Sequence, residues 1–298
     1  MTLQSAIADA RRTLEKAGID PIEAAVDADL LARTVLGWDR ASLLASLTDP
    51  PPPGFPTAYA ALVARRERRE PAAYIVGYRE FWSRQFEVGP GVLVPRPETE
   101  LIVEEALARL AGRVAASFRE PASSRRPIDI ADVGTGSGCL AVTLAIELPP
   151  ARVVGTDTSA RALDVARRNA ERHEVADRID FVNTDLLAGL DTRFDLVVSN
   201  PPYVPASQMA QLPPEVREHE PPDALSGGPD GLDVVRSLLL QAESRLKEDG
   251  WLIFEFGFGE DRAVADAIAA RPAYRLEVMR SDLQGIPRTA VVRWQPPR

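Results

Sequence analysis

The sequence predicts an α/β protein, a mostly parallel sheet covered by helices on both faces, with a small helical region ahead of it. Three observations carry this. From residue 128 onward, apolar runs of strand length alternate with helical stretches, which is how parallel strands joined by crossover helices read. A glycine-rich turn, Asp132-Val133-Gly134-Thr135-Gly136-Ser137-Gly138, joins the first of these strands to its helix, as in Rossmann-like domains. Residues 2–70, by contrast, carry helical spacing alone.

The bulk composition bounds the rest. A chain of 298 residues has room for two domains, and 45% hydrophobic with 27% charged residues is ordinary for a soluble globular protein. The net charge of −9 argues against broad, nonspecific nucleic-acid binding. Cys139 is the only cysteine, so no intramolecular disulfide can form. With His173 and His219 the only histidines, no Cys/His metal cluster is expected. The N-terminus is polar, and no apolar run reaches the roughly 18 residues of a membrane span. A cytoplasmic protein without a membrane partner is therefore expected.

Taken in order, Ala6, Ala10, Leu14 and Ala17 mark a first helix stopped by Gly18, and Val26, Leu30, Leu31, Val35 and Leu36 a second stopped by Gly37. Asp49–Pro56, with five prolines, is a loop. The segment from Tyr59 to Arg69 is helical, with a basic face at Arg65, Arg66, Arg68 and Arg69. The plain reading of that face is a solvated surface; the sharper one is a docking patch for phosphate or carboxylate. Residues 1–72 thus form a helical domain. Residues 73–95 read as a β-hairpin linker, with strands at Tyr74-Ile75-Val76, Phe86-Glu87-Val88 and Val92-Leu93-Val94. Residues 96–298 form the second domain, opened by Pro95-Arg96-Pro97-Glu98-Thr99-Glu100. There Thr99 or Glu98 is expected to cap a helix from Glu100 to about Ala111, and residues 112–127 to form a loop. Strands follow at Ile128–Val133, Arg152–Thr156, Ile179–Val182, Phe194–Ser199, Trp251–Phe256, Tyr274–Met279 and Ala290–Trp294. No helix separates the last two, so the final strand is expected to be antiparallel.

Acidic residues at successive strand ends turn the glycine loop into a cofactor signal. Asp157 follows the second strand, 19 residues after Gly138, where a carboxylate holds ribose hydroxyls in nucleotide-binding domains. Asp185 ends the third strand, beside Leu186, where an adenine edge and ring would lie. A dinucleotide fingerprint requires glycine at 139, which is Cys139 here, so a dehydrogenase is disfavoured. The Asp-x-Gly-x-Gly-x-Gly spacing instead resembles motif I of S-adenosylmethionine-dependent methyltransferases. Cys139 itself reads as packing, His173 as a solvated helix end and His219 as a surface residue.

The fourth strand runs into Asn200-Pro201-Pro202-Tyr203. Two prolines fix two φ angles, and the residue before a proline is driven out of helical geometry. The product is a stiff corner offering an amide, free carbonyls and an aromatic ring. It resembles the corner of methyltransferases acting on planar nitrogens, either exocyclic amines of nucleobases or side-chain amides. Asn200 Oδ1 and the Pro201 carbonyl are natural acceptors for an NH2 group, and Tyr203 can lie against a flat acceptor.

Three more stretches narrow the resemblance. Pro71-Ala72-Ala73-Tyr74-Ile75-Val76-Gly77 with Phe81, Val92-Leu93-Val94-Pro95-Arg96-Pro97-Glu98-Thr99-Glu100, and Glu220-Pro221 through Gly227-Gly228-Pro229-Asp230-Gly231-Leu232 are similar to the bacterial peptide chain release factor N5-glutamine methyltransferase family. That resemblance implies a class I S-adenosylmethionine methyltransferase fold, with a seven-stranded sheet and a small substrate-recognition domain. It implies methylation of the glutamine amide in the Gly-Gly-Gln loop of class I release factors, leaving S-adenosyl-L-homocysteine. It carries cofactor contacts onto Gly134, Thr135, Gly136, Ser137, Gly138, Asp157, Asp185, Leu186 and Asn200. Substrate contacts fall on Asn200, Pro201, Pro202, Tyr203, Arg96 and Thr99, with Asn200, Pro201 and Tyr203 catalytic. A monomer with no stable nucleic-acid partner is expected. Position 186, often aromatic in that family, is leucine here, and Ile286-Pro287 stands where a charged pair is common. Glu255 is open between a structural and a cleft-facing role. N6-adenine or N4-cytosine methylation of nucleic acid is the alternative on the same corner, and an idle binding protein would show a spoiled loop or corner, which this sequence does not.

Overall fold

The computed structural model describes residues 2–119 and 126–295. Its chain divides into two compact units, Met1–Tyr78 with Pro213–His219, and Arg79–Leu212 with Glu220–Arg298.

The first unit is helical: α1 (Leu3–Lys16), α2 (Pro21–Leu36), α3 (Arg40–Ala45), α4 (Phe55–Glu67) and α5 (Ala72–Val76). Thr2 and Ser5 cap α1 reciprocally, Asp20 caps α2, and Gly37 ends α2 in the left-handed region. Leu3, Leu14, Leu31, Leu43 and Phe55 fill its core. α5 corrects the strand expected at Tyr74-Ile75-Val76. Pro71 begins a single turn of helix that Gly77 closes, and Ile75 is buried in the helical core, so packing overrides a β-prone sequence.

The basic run is neither a solvated face nor a docking patch. Arg66 is 1% exposed. Its Nε donates to Asp27 Oδ2 at 2.6 Å, and its Nη2 donates to Glu23 at 2.8 Å and Glu215 at 3.0 Å. Arg69 also donates to Glu215, and Arg65 donates to Glu70. Of the four arginines, Arg68 alone is exposed. The cluster fastens the short helix Pro214–His219 to α2 and α4 of its own unit.

The second unit begins with a hairpin, β1 (Tyr78–Phe81) and β2 (Arg84–Glu87). It turns through Trp82 and Ser83, both at positive φ (51° and 57°), the backbone of a tight two-residue turn. Residues 92–94 are not the third strand expected. Val94 N–H donates to the Glu220 carboxylate instead of to a ladder partner. α6 (Glu100–Ser117) runs well past Ala111, because Leu110 and Val114 bury against the sheet and outweigh the roughly 1 kcal/mol cost of Gly112. Part of the loop expected over 112–127 is thus helix, and residues 120–125 lie outside the described residues.

The sheet comprises β3 (Ile128–Val133), β4 (Ala151–Asp157), β5 (Ile179–Asn183), β6 (Phe194–Ser199), β7 (Leu246–Glu255), β8 (Tyr274–Ser281) and β9 (Pro287–Trp294). Their spatial order is β5-β4-β3-β6-β7-β9-β8. β3 to β7 are parallel, and β9 runs antiparallel between β7 and β8. The turn between β8 and β9 is too short for a crossover, so reversal is the only route back into the sheet. α6, α7 (Cys139–Glu147) and α8 (Ala160–Arg172) share one buried core with the sheet; α9 (Asp233–Arg245) and α10 (Asp261–Ala269) share the other. The strand order reverses beside β3, and there the carboxyl ends of β3, β4 and β6 open a crevice.

His173 ends α8 as expected, but half-buried and not fully solvated. Its ring lies 4.9 Å from that of Phe86, with Nε2 2.9 Å from the Gln85 carbonyl, joining α8 to the hairpin. Cys139 is buried as expected, and burial pushes its thiol up to about 12. Among the described residues no cluster of His, Cys, Asp and Glu suits a metal ion, and no helix is long and apolar enough to cross a membrane.

Candidate active site

A cleft of about 540 Å³ opens at this crevice. Gly134, Gly136, Asp157, Asp185, Leu186, Asn200 and Pro202 all line it, so half of the fourteen residues singled out from sequence converge there; Pro201 and Tyr203 are not among its lining residues. Val92, Leu93, Pro221 and Ala224, which sequence reading does not assign to the cleft, line it as well. The Glu220-Pro221 stretch was a marker for the last two. Residues 92–93 were hidden by their strand-like composition.

Each oxygen of Asp157 is already engaged once: Oδ2 accepts from Gly136 N–H at 3.0 Å and Oδ1 from Ser159 N–H at 2.8 Å. An ionised carboxylate offers about four acceptor positions, so further hydroxyls can still bind. Burial raises the Asp157 pKa above its ordinary value, against the pull of those backbone donors. The carboxylate thus shapes the glycine loop as well as facing the cleft.

The loop's other residues divide by direction. Gly134 and Gly136 have φ of 70° and 55° and face the cleft, and a Cβ on Gly134 would meet nothing within 4 Å. Gly138 faces away: a Cβ there would sit 3.0 Å from the Ala166 side chain, so this glycine lets α8 approach. Thr135 and Ser137 are buried, so any contact they make with a cofactor falls to their backbone. Thr135 Oγ1 donates to Asp132 at 2.6 Å, and the Ser137 carbonyl accepts from Asn169. Burial pushes the Asp132 carboxyl up to about 6.

At the end of β6 a chain of side-chain bonds converges. Asn200 Nδ2 donates to Thr99 Oγ1 at 3.0 Å, Thr99 Oγ1 donates to Glu255 Oε2 at 2.6 Å, and Tyr203 Oη donates to Glu255 Oε1 at 2.9 Å. Glu255 is buried at the end of β7. Burial and the charge of Glu98 raise its pKa, while the two hydroxyl bonds and Arg288 lower it. Burial, then the Glu255 carboxylate, lifts the Tyr203 phenol far above its ordinary range, so it keeps its proton and donates. Thr99 occupies the N-cap position expected but makes no capping hydrogen bond; its hydroxyl is spent on this chain. Arg96 donates to the buried Glu220 at 2.6 Å. That fastens the segment before α6 to the one after Pro214–His219, and Arg96 is not among the residues that line the cleft.

Residues 119–212 match the family described as methyltransferase small domain, and residues 5–77 the PrmC N-terminal domain. A release factor glutamine methyltransferase of Bradyrhizobium diazoefficiens is 41% identical over 295 residues, covering 98% of this chain and 96% of that protein. One of Geobacter sulfurreducens is 42% identical over 264 residues, covering 88% and 87%. Among solved structures, the catalytic domain of hMettl16 in complex with the MAT2A 3′UTR hairpin 6 aligns with a TM-score of 0.55 at 16% identity, over 75% of this chain and 80% of that one. That last likeness is one of fold.

Proposed function

The chain belongs to the release factor glutamine methyltransferase family, and from that premise we propose that it methylates the side-chain amide nitrogen, N5, of the glutamine in the Gly-Gly-Gln motif of class I release factors, with S-adenosylmethionine as donor. The observation that carries the reading is the Asn200 amide on the wall of the cleft that Gly134, Gly136 and Asp157 also line.

The residues present fit that cofactor. Open space stands over Gly134, and Asp157 retains acceptor capacity for ribose hydroxyls. Leu186 and Asp185 would receive the base. When bound, S-adenosylmethionine supplies a methyl group on a positively charged sulfur, leaving S-adenosyl-L-homocysteine.

The protein's task lies with the acceptor. An amide nitrogen is a poor nucleophile because its lone pair is shared with the carbonyl. Asn200 Oδ1 and the Pro201 carbonyl accept its two N–H bonds, which fixes the nitrogen and favours a lone pair directed at the donor. Pro201 and Pro202 make the corner rigid, so little reorganisation accompanies reaction. Tyr203, tied by its hydroxyl to Glu255, offers its ring to the flat amide. As the methyl–nitrogen bond forms and the methyl–sulfur bond breaks, the positive charge would pass to the amide nitrogen, whose N–H bonds then become strongly acidic. One proton leaves to water past its acceptors at Asn200 Oδ1 and the Pro201 carbonyl, so no strong base is required. The small helical unit is the part of the chain suited to recognising the release factor. The same reading makes the protein cytoplasmic, monomeric and free of stable nucleic-acid partners.

The test is methyl transfer to a purified class I release factor, to its Gly-Gly-Gln glutamine→alanine variant, and to DNA and RNA. Label is expected on the intact factor alone. Label found only in nucleic acid would overturn the proposal.

A further inference from the structure

Resting on that reading of Asn200, we infer that Thr99 and Glu255 are positioning residues that decide which end of the Asn200 amide faces the cleft. The two ends of an asparagine amide have nearly the same shape and opposite polarity. With Oδ1 toward the cleft, the residue accepts from an incoming NH2 group. With Nδ2 there, it sets donor against donor and cannot hold that group. Nothing in the Asn-Pro-Pro-Tyr backbone chooses between them.

The choice is made by proton bookkeeping in the buried chain behind the corner. Glu255 and Thr99 are 1% and 2% exposed, so water does not fill in for either. An ionised carboxylate only accepts. Glu255 therefore takes the single hydroxyl protons of both its neighbours, Thr99 at 2.6 Å and Tyr203 at 2.9 Å. Thr99 Oγ1, having given its proton away, has only lone pairs left to offer. Asn200, 3.0 Å from it, must present Nδ2, and Oδ1 is left for the cleft. The polarity of the substrate-facing group is thus fixed from the end of β7, through a threonine held in a helical turn beside α6. Arg96, bonded to Glu220 three residues earlier in the chain, anchors that turn. The same carboxylate holds the Tyr203 hydroxyl, so one buried charge orients both side chains of the corner.

Thr99→Val and Thr99→Ser test this, with three readouts: methyl transfer to a purified class I release factor, cofactor affinity by calorimetry, and the side-chain amide protons of Asn200 in nitrogen-15-labelled protein. Thr99→Val keeps the shape and removes the hydroxyl. It should lower kcat about tenfold or more, while KM and cofactor affinity stay within about threefold. Thr99→Ser keeps the hydroxyl and should stay within about threefold of the parent kcat. The Asn200 Nδ2 proton bonded to Thr99 should shift in the valine variant and hold in the serine variant. Parent-like kcat in Thr99→Val, an equal loss in both variants, or a loss confined to KM would each overturn the inference. If the unaltered protein leaves the release factor unmodified while the Asn200 resonance still moves in Thr99→Val, the substrate assignment has failed and the amide orientation stands.

Discussion

Asp27 and Glu255 are both buried carboxylates, and the molecule treats them in opposite ways. Asp27, 5% exposed in the helical unit, faces a guanidinium: Arg66 Nε donates to it at 2.6 Å, and the same arginine reaches Glu23 and Glu215. Glu255, at the end of β7, faces two neutral hydroxyls and an amide beyond them. Charge meets charge in the first case, and the three carboxylates that Arg66 reaches lie in its own unit. In the second the charge is not neutralised; it is used to direct protons, and the last acceptor in the chain opens on a cleft. A buried carboxylate answered by a cation therefore reads as architecture. One answered by hydroxyls that lead to a cavity reads as part of a site.

The sharpest way to break that comparison is to remove the cation. Arg66→Met removes the guanidinium that Asp27, Glu23 and Glu215 share, and breaking a buried ion pair by removing one partner typically costs about 3–5 kcal/mol. The expected outcome is a large loss of stability in denaturant unfolding, with cofactor affinity by calorimetry unchanged because the cleft lies in the other unit. A small change in stability would place Asp27 among groups that water can satisfy. On the other side, Asn200→Ala removes the acceptor that Glu255 serves. Turnover should fall about 100-fold or more, on the order of 3 kcal/mol of barrier, with the unfolding transition preserved. Near-parent turnover would remove Asn200 from the chemistry.

These two regions also mark where sequence reading succeeds. The sheet is legible because each parallel strand carries a short apolar stretch, and the cleft because Gly134, Asp157 and Asn200 each sit at a strand end, a position that local pattern reveals. The roles of Arg66, Thr99 and Glu255 are not. Arg66 reads as one charge in a basic run, and its burial depends on α2, 39 residues away. Thr99 sits where a helix cap belongs, and its partner Glu255 is 156 residues distant. The same cause hid α5, whose β-prone residues are recruited by a helical core. Long-range pairing decides such residues, and a single sequence does not display it.

Glu255 gives the comparison a pH signature. Burial and the Glu98 charge raise its pKa; Arg288 and the Thr99 and Tyr203 hydroxyls oppose them, and Cys139, buried and protonated, also lies within its field. The ionised form directs the Thr99 proton, so activity is present above the raised pKa and is lost as pH falls through it. A profile of kcat should show an acid limb centred above the ordinary value of 4.5, and Glu255→Gln should lower kcat and abolish the limb. Arg66→Met should leave the limb where it is. A limb that survives in Glu255→Gln would assign the titration to another group.

Asp132 lies between the two cases and yields the smallest effect. Its Oδ2 accepts from Thr135 and from Ala141 N–H, while Oδ1 is buried without a hydrogen-bond partner among the described residues. Among the described residues no cation answers it, and burial pushes its pKa up to about 6 from an ordinary 3.8. Because the folded value lies above the unfolded one, the buried charge costs stability above about pH 6, and the cost fades as pH falls toward 3.8. Asp132→Asn keeps an oxygen for the two donors and replaces the partnerless oxygen with an uncharged NH2. It should match or exceed the parent in thermal unfolding at neutral pH, by on the order of 1 kcal/mol once the amide's own unmet donors are counted. The advantage should shrink at about pH 5 as the parent takes up its proton. A loss of stability at neutral pH would mean that Oδ1 has a partner of its own, and Asp132 would then belong beside Asp27.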